Sequence, residues 1–379
     1  MRICYFADGR SIHTQRWMRY FSGQGHEMFL LSYAPMTDEN IAAMTAIDVK
    51  VLGTIGNFHV KKVWLTLRDL RFVRSVLKRE KIDILHSHFL GTNAWYGALS
   101  GFHPHIITIM GGDVMGENWK PAKNLQERLM SPFALKRAAV VAAWSGPLAD
   151  KVRPFVTEGQ EIPIVHGGVE LDRFAGNSDS AELRHELNIP AGDKVVFSPR
   201  LIRRLYNIDK IAEAANIVCN ARPNTRFVMA LPETILDSEY IASIKKIVSE
   251  GAARENVRFV STIAHERIAE YFDLADVTVS IPSSDGTPMT VLESMACGTP
   301  TVIGNLADYD KEYFEHEKTT LMVDVKNAQA IADAILRYFT DAELAENISN
   351  EARIQVEATG GYEFQMEKMD AIYHKVLGR

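Results

Sequence analysis

A chain of 379 residues is too long for one ordinary hydrophobic core, so two domains are expected. Its 46% hydrophobic and 24% charged residues describe a soluble globular protein, and no apolar run approaches the ~20 residues of a bilayer span. Three scattered cysteines (Cys4, Cys219, Cys297) without a CxxC pair argue against disulfide or zinc frameworks and for a reducing, cytoplasmic location.

The start, MRICYFADGR, reads as a strand and turn and not as a signal peptide, because its apolar run is only about five residues long. Short apolar strands then alternate with helical patterns. Strands are expected at Arg2–Ala7, Met28–Ser32, Ile82–His86, Ile106–Met110 and Val140–Trp144. Helices are expected at Thr14–Gln24, Leu65–Lys81, Asn93–Ser100 and Leu125–Arg137. The pattern breaks at a Gly-Gly turn in IVHGGVELDRF and then restarts. The second set of strands is Val195–Ser198, Arg226–Leu231, Val257–Val260, Val277–Ile281 and Pro300–Ile303. Its helices are Asp209–Asn220, Ser238–Glu250, His265–Tyr271, Pro288–Ala296 and Ala328–Phe339.

Such alternation predicts an α/β protein with two Rossmann-like, doubly wound parallel sheets facing a cleft. The boundaries follow: residues 1–165 form the first domain and 166–361 the second, with a final helix in 362–379 packing back on the first. Net charge divides between them. Residues 1–165 hold 20 Lys+Arg and 14 Asp+Glu (+6), and the remainder 22 and 34 (−12). A basic first half suits an anionic partner; nothing in the chain points to nucleic acid.

In doubly wound sheets, ligands lie beyond the carboxyl ends of the strands, and polar residues gather there. After the first-domain strands come Gly9, Arg10, His13, Arg16, His88, Gly111, Gly112 and Asp113, candidates for acceptor binding. His86-Ser-His88 also reads as two ligands of a metal or as structural histidines. In the second domain, Arg200 ends VVFSPR and is followed by Arg203, Arg204, Tyr206 and Asn207, while Thr262 and Ile263 follow another strand. Guanidinium groups at a strand end neutralise a diphosphate through charge-assisted, bidentate bonds.

The segment IPSSDGTPMTVLESMACGTPT is the most informative. A strand stops at Pro282, and a helix follows for which Thr287 is the expected N-cap and Pro288 the first helical residue. Its opening amides, at Met289 and Thr290, make an anion site. Asp285 and Glu293 bracket it. Against these stand three absences: no GxGxxG after the first strand, no GxxxxGK[ST] and no GxSxG, which removes the usual dinucleotide, P-loop and hydrolase readings. Asp308-Tyr-Asp310, in DYDKEYFEHE, reads more simply as a helix start than as a metal-binding DxD. The helix Leu65–Lys81, with Arg68, Arg71, Arg74, Lys78, Arg79 and Lys81 beside Trp64, reads as a solvated face or as a contact with anionic lipid.

PSSDGTPMTVLESMACGTPTV closely resembles the signature of the retaining nucleotide-sugar glycosyltransferases of the GT-B fold, glycosyltransferase family 4, in which an acid is followed by seven residues and then a Glu. Weaker echoes are GHEMFLLS, DILHSHF, TIMGGDV, HGGVELDRF and SPRLIRRLYNIDKIAEA. The resemblance implies transfer of a sugar from a UDP- or GDP-sugar to an acceptor hydroxyl, with retention and without a metal or other cofactor, in cell-envelope glycan or glycolipid synthesis. It gives Arg200 to the donor diphosphate, Glu293 to the ribose, Asp285 to the donor sugar, and Gly286, Thr287, Pro288, Met289 and Thr290 to sugar and phosphate. Three departures stand out: Asp285 is usually Glu, Tyr206-Asn207 replace a Lys (Arg203 or Arg204 being candidates to substitute), and Met110 replaces a His. They leave two alternatives open, a GT-B nucleotide-sugar epimerase and a catalytically impaired relative that still binds nucleotide sugar.

Overall fold

The computed structural model describes residues 1–58, 62–114, 125–231 and 237–378. The chain divides into two units, Met1–Gly167 with Glu363–Arg379, and Gly168–Tyr362.

The first unit is built on six parallel strands: β1 (Arg2–Ala7), β2 (Glu27–Ser32), β3 (Val49–Thr54), β4 (Ile84–His88), β5 (His105–Ile109) and β6 (Val140–Ala143), in the order β3-β2-β1-β4-β5-β6. The second repeats the plan with β7 (Lys194–Ser198), β8 (Thr225–Ala230), β9 (Val257–Val260), β10 (Val277–Ser280), β11 (Thr301–Gly304) and β12 (Leu321–Val323), in the order β12-β11-β10-β7-β8-β9. Each sheet changes direction between two neighbours, β1 and β4 in one, β7 and β10 in the other. These are the topological switch points where such sheets bind ligands. The central strands β4 and β10 are buried along their whole length, as expected where helices cover both faces. Two Rossmann-like domains are therefore present.

Several elements depart from the sequence reading. β4 begins two residues later than expected because Lys81, in the left-handed region, and Ile82, whose amide donates to Leu77 O at 3.1 Å, close the preceding helix. His88 is consequently a strand residue. The edge strand β3, interrupted by Gly53 and carrying Lys50, lacked an alternating pattern, and β12 has only three residues. The basic helix runs Val63–Arg79. Residues 308–317 do not start a helix; Asp310 is buried in a turn, and its carboxylate accepts from the Glu312 amide at 3.1 Å.

Helix Tyr362–Val376 belongs, from Glu363 onward, to the first unit. Its Tyr373 hydroxyl is fully buried, 2.8 Å from the Tyr5 hydroxyl and 2.6 Å from His86 Nδ1, while His86 Nε2 meets Thr108 Oγ1 at 2.7 Å. This chain of bonds crosses β1, β4 and β5 and ties the C-terminal helix to the sheet centre.

Candidate functional site

At the second switch point the carboxyl ends of β7 and β10 lie side by side, with Val196 registered on Val277 and Phe197 on Thr278. The chain leaving β7 carries Arg200, and the chain leaving β10 carries Asp285 and then the helix Met289–Ala296. Arg200 Nη2 donates to Asp285 Oδ2 at 2.6 Å, Nη1 to Thr290 Oγ1 at 3.2 Å, and the guanidinium carbon sits 4.3 Å from the centre of the Tyr206 ring. An ion pair, a hydroxyl and a π-face thus fix this cation. Its Nε is buried and finds no hydrogen-bond partner among the described residues.

The loops that hold these groups are bonded to each other. Ser283 donates its amide to Leu205 O at 2.7 Å and its hydroxyl to Asn207 Oδ1 at 3.1 Å, and Asn207 Nδ2 donates to Ile281 O at 2.8 Å. Asn207 has φ 48°, a left-handed conformation that asparagine tolerates better than most residues, and it opens helix Ile208–Ala221. Tyr206 and Asn207, where the family resemblance expected Lys, therefore supply the ring beneath Arg200 and the tie to β10.

The helix start differs by one residue from expectation. Pro288, with ψ 106°, is the N-cap; its carbonyl accepts from Val291 at 2.9 Å and Leu292 at 3.2 Å, and Thr287 is the residue before it. Proline cannot begin the helix here because its ψ lies in the extended region. Met289 and Thr290 remain first-turn amides, the positions without an intrahelical acceptor. Glu293 is buried, one turn after Thr290 on the same face. Asp285 Oδ1 accepts from the Gly286 amide at 3.0 Å; burial pushes this carboxyl up, opposed by Arg200 and by that amide.

Not every candidate gathers there. Arg204 turns away: it pairs with Asp237 at 2.7 Å and lies over the Tyr240 ring at 4.9 Å, so it does not replace the missing Lys. Arg203 is exposed. Thr262 donates to Leu231 O at 3.1 Å, and Ile263 is half-buried beside it. Tyr309, which sequence reasoning passed over inside the acidic DYDKEYFEHE run, is buried; the amide of its neighbour Asp310 donates to Gly286 O at 3.4 Å.

In the first unit, Asp113 accepts from the amides of Leu90 at 2.7 Å and Gly111 at 2.9 Å, joining the loops after β4 and β5; burial pushes its carboxyl up to about 6 against the pull of these amides. Gly111 has φ 133°, which a side chain would strain, and Gly112 is exposed. Arg10 pairs with Asp8 at 2.8 Å, and Arg16 is buried. The His13 ring stands edge-on to Trp144 at 5.1 Å. Gly9 packs closely, since a Cβ would come within 2.7 Å of the side-chain ends of Leu30 and Met36, which would have to shift. His88 does not present its ring to a ligand: it is fully buried among Tyr5, Trp17 and His86, with ring centres 4.9 to 5.1 Å away. Its strand position turns it inward. Among the described residues no three His, Cys, Asp or Glu side chains are grouped to hold a metal.

Two doubly wound domains, the second with an arginine set against a helix start at its switch point, define a protein of the GT-B glycosyltransferase class. Residues 2–145 match the Glycosyl transferase 4-like model and 179–355 the Glycosyl transferases group 1 model. The chain belongs to the group 1, family 4-like glycosyltransferases. It is 24% identical over 308 residues to N-acetyl-alpha-D-glucosaminyl L-malate synthase of Bacillus anthracis, covering 80% of this chain and 77% of that protein. A glycosyltransferase from Rickettsia africae superposes with TM-score 0.82 at 15% identity, covering 99% and 98% of the two chains. HepE of Anabaena, solved in complex with UDP-glucose, superposes with TM-score 0.77 at 13% identity, covering 99% and 100%.

Proposed function

We propose that the protein moves a sugar from a nucleoside-diphosphate sugar to an acceptor hydroxyl, with retention of configuration and without a metal ion, in the synthesis of a cell-envelope glycan or glycolipid. The observation that carries this reading is the Arg200 guanidinium, held by Asp285, Thr290 and Tyr206 against the first turn of helix Met289–Ala296. Arg200 and the first-turn amides neutralise the diphosphate, which keeps the electron pair of the broken sugar–oxygen bond and gains negative charge as it leaves. Glu293, one turn further along the same face, takes the ribose hydroxyls, and Asp285 takes the sugar. The departing phosphate oxygen accepts the acceptor's proton on the same face, which retains the anomeric configuration. That HepE binds UDP-glucose supports a uridine donor.

Thermal unfolding with UDP-, GDP- and ADP-glucose tests the donor. One of the three should raise Tm, corresponding to about 2.7 kcal/mol at a hundredfold excess over Kd. No shift with any of them would remove the reading. Turnover of the donor without acceptor would favour the epimerase, an inverted product by NMR would exclude retention, and loss of turnover with EDTA would exclude metal independence.

The face of helix Val63–Arg79 that exposes Val63, Trp64 and Leu67 lies among Arg68, Arg71 and Arg74, a composition that suits an anionic bilayer surface. No helix among the described residues is long and apolar enough to cross a membrane. The protein should float with vesicles containing phosphatidylglycerol, and Trp64→Ala should reduce this severalfold; equal recovery with neutral vesicles would refute the contact.

A further inference from the structure

Tyr309 lies in the turn between β11 and β12, 3% exposed, its ring 5.1 Å from that of Phe314. The turn is pinned to the donor site by the Asp310 amide, which donates to the carbonyl of Gly286, the residue after Asp285. The Tyr309 hydroxyl is buried and finds no hydrogen-bond partner among the described residues. Leaving a buried phenol unbonded is destabilising, and most proteins avoid this by supplying an acceptor. A phenylalanine would fill the same space without that cost. Burial, and then the charge of Asp285, hold the phenol well above its ordinary pKa, and Arg200 acts on it in the opposite sense. The group is therefore a neutral donor that feels the charge of both members of the ion pair and is bonded to neither.

We infer that Tyr309 is a substrate-binding residue whose hydroxyl donates a hydrogen bond to a hydroxyl of the donor sugar held at Asp285. The inference rests on the donor reading proposed above. Three features favour the sugar over the diphosphate. The turn is bonded to Gly286, the residue after Asp285, and the donor reading gives both of these to the sugar. The phosphate already has Arg200, with its unused Nε, and two first-turn amides. A neutral phenol matches a neutral hydroxyl, where charged groups serve the phosphate. Sites built to hydrogen-bond a substrate hydroxyl discriminate strongly against ligands that lack it.

The test compares wild type with Tyr309→Phe, which keeps the ring against Phe314 and removes only the hydroxyl. Kd is measured calorimetrically for UDP, GDP and ADP and for the corresponding nucleoside-diphosphate glucoses, alongside Tm without ligand. The expected result is an unchanged or slightly raised Tm, an unchanged Kd for the preferred nucleoside diphosphate, and about tenfold weaker binding of its glucose conjugate. Equal weakening of both ligands would place the hydroxyl on the diphosphate and overturn the assignment, as would no weakening of either. A wild type that binds none of the six ligands would overturn the donor reading itself, which separates that failure from one confined to Tyr309.

Discussion

Replacing Arg200 by alanine should lower kcat/KM on the order of a hundredfold, the usual consequence of deleting one preorganised group that meets developing charge. At 1.36 kcal/mol per decade this corresponds to about 2.7 kcal/mol. Two effects combine. On the proposed reading the leaving diphosphate loses its cation, and Asp285, whose carboxyl burial already pushes up, loses the partner that pulls it down. Arg200→Ala should therefore also move the acid limb of the pH–rate profile to higher pH, because more of Asp285 is protonated at a given pH. Arg200→Lys restores a positive charge without the planar fork that spans Asp285 and Thr290, so it should recover part of the rate. A variant within threefold of wild type, with an unshifted profile, would show that the guanidinium does not meet the leaving group.

Lowering the pH from 7 to 5 should destabilise the first unit far more than the second. His88, His105 and His166 are buried there, and burial pushes each imidazole down to about 3; His86 is displaced in the same direction for the same reason. A histidine with a depressed folded pKa stabilises the fold fully above its unfolded value near 6.5, and that contribution is lost as pH falls toward 3. At pH 5 the unfolded chain is favoured by about 2 kcal/mol per histidine, about 6 kcal/mol for the three. Asp113, raised to about 6, works oppositely: the fold binds its proton first, which returns about 1 kcal/mol at pH 5. The balance is comparable to the whole stability of an ordinary domain, 5–15 kcal/mol.

Hydrogen exchange reads this unit by unit. Amides of β1, β4 and β5 should lose protection at pH 5 while those of β7 and β8 keep it. His105→Gln, at a ring for which Gly97 makes room (a Cβ there would lie 2.5 Å from the imidazole), should flatten the dependence of stability on pH between 6 and 4 by about 1 kcal/mol per unit. Equal loss of protection in both units would refute the assignment to these histidines.

Local patterns determine much of this protein. Apolar runs of four to six residues between amphipathic stretches define most strands and helices, because the burial that selects a parallel strand is written in its own residues. The signature from Pro282 to Val302 marks the helix start and the family for the same reason: helix onset, first-turn amides and the two acids are all close in sequence. What the tertiary structure decides is which distant segments meet. Asp285 is bonded to Arg200, 85 positions earlier, only because the strand order sets β10 beside β7. No local propensity encodes that order; it comes from parallel pairing and right-handed crossovers over the whole domain. His88 and His13 looked equivalent as polar residues near strand ends, yet one lies inside the sheet layer and the other half-buried above it. Arg204 seemed a substitute for the missing lysine until Asp237, 33 residues on, claimed it. Tyr309 was indistinguishable from its acidic neighbours until the turn carrying it closed onto Gly286. Burial and partnership are properties of the packed chain, so residues whose roles depend on them become legible only when the sheets are assembled.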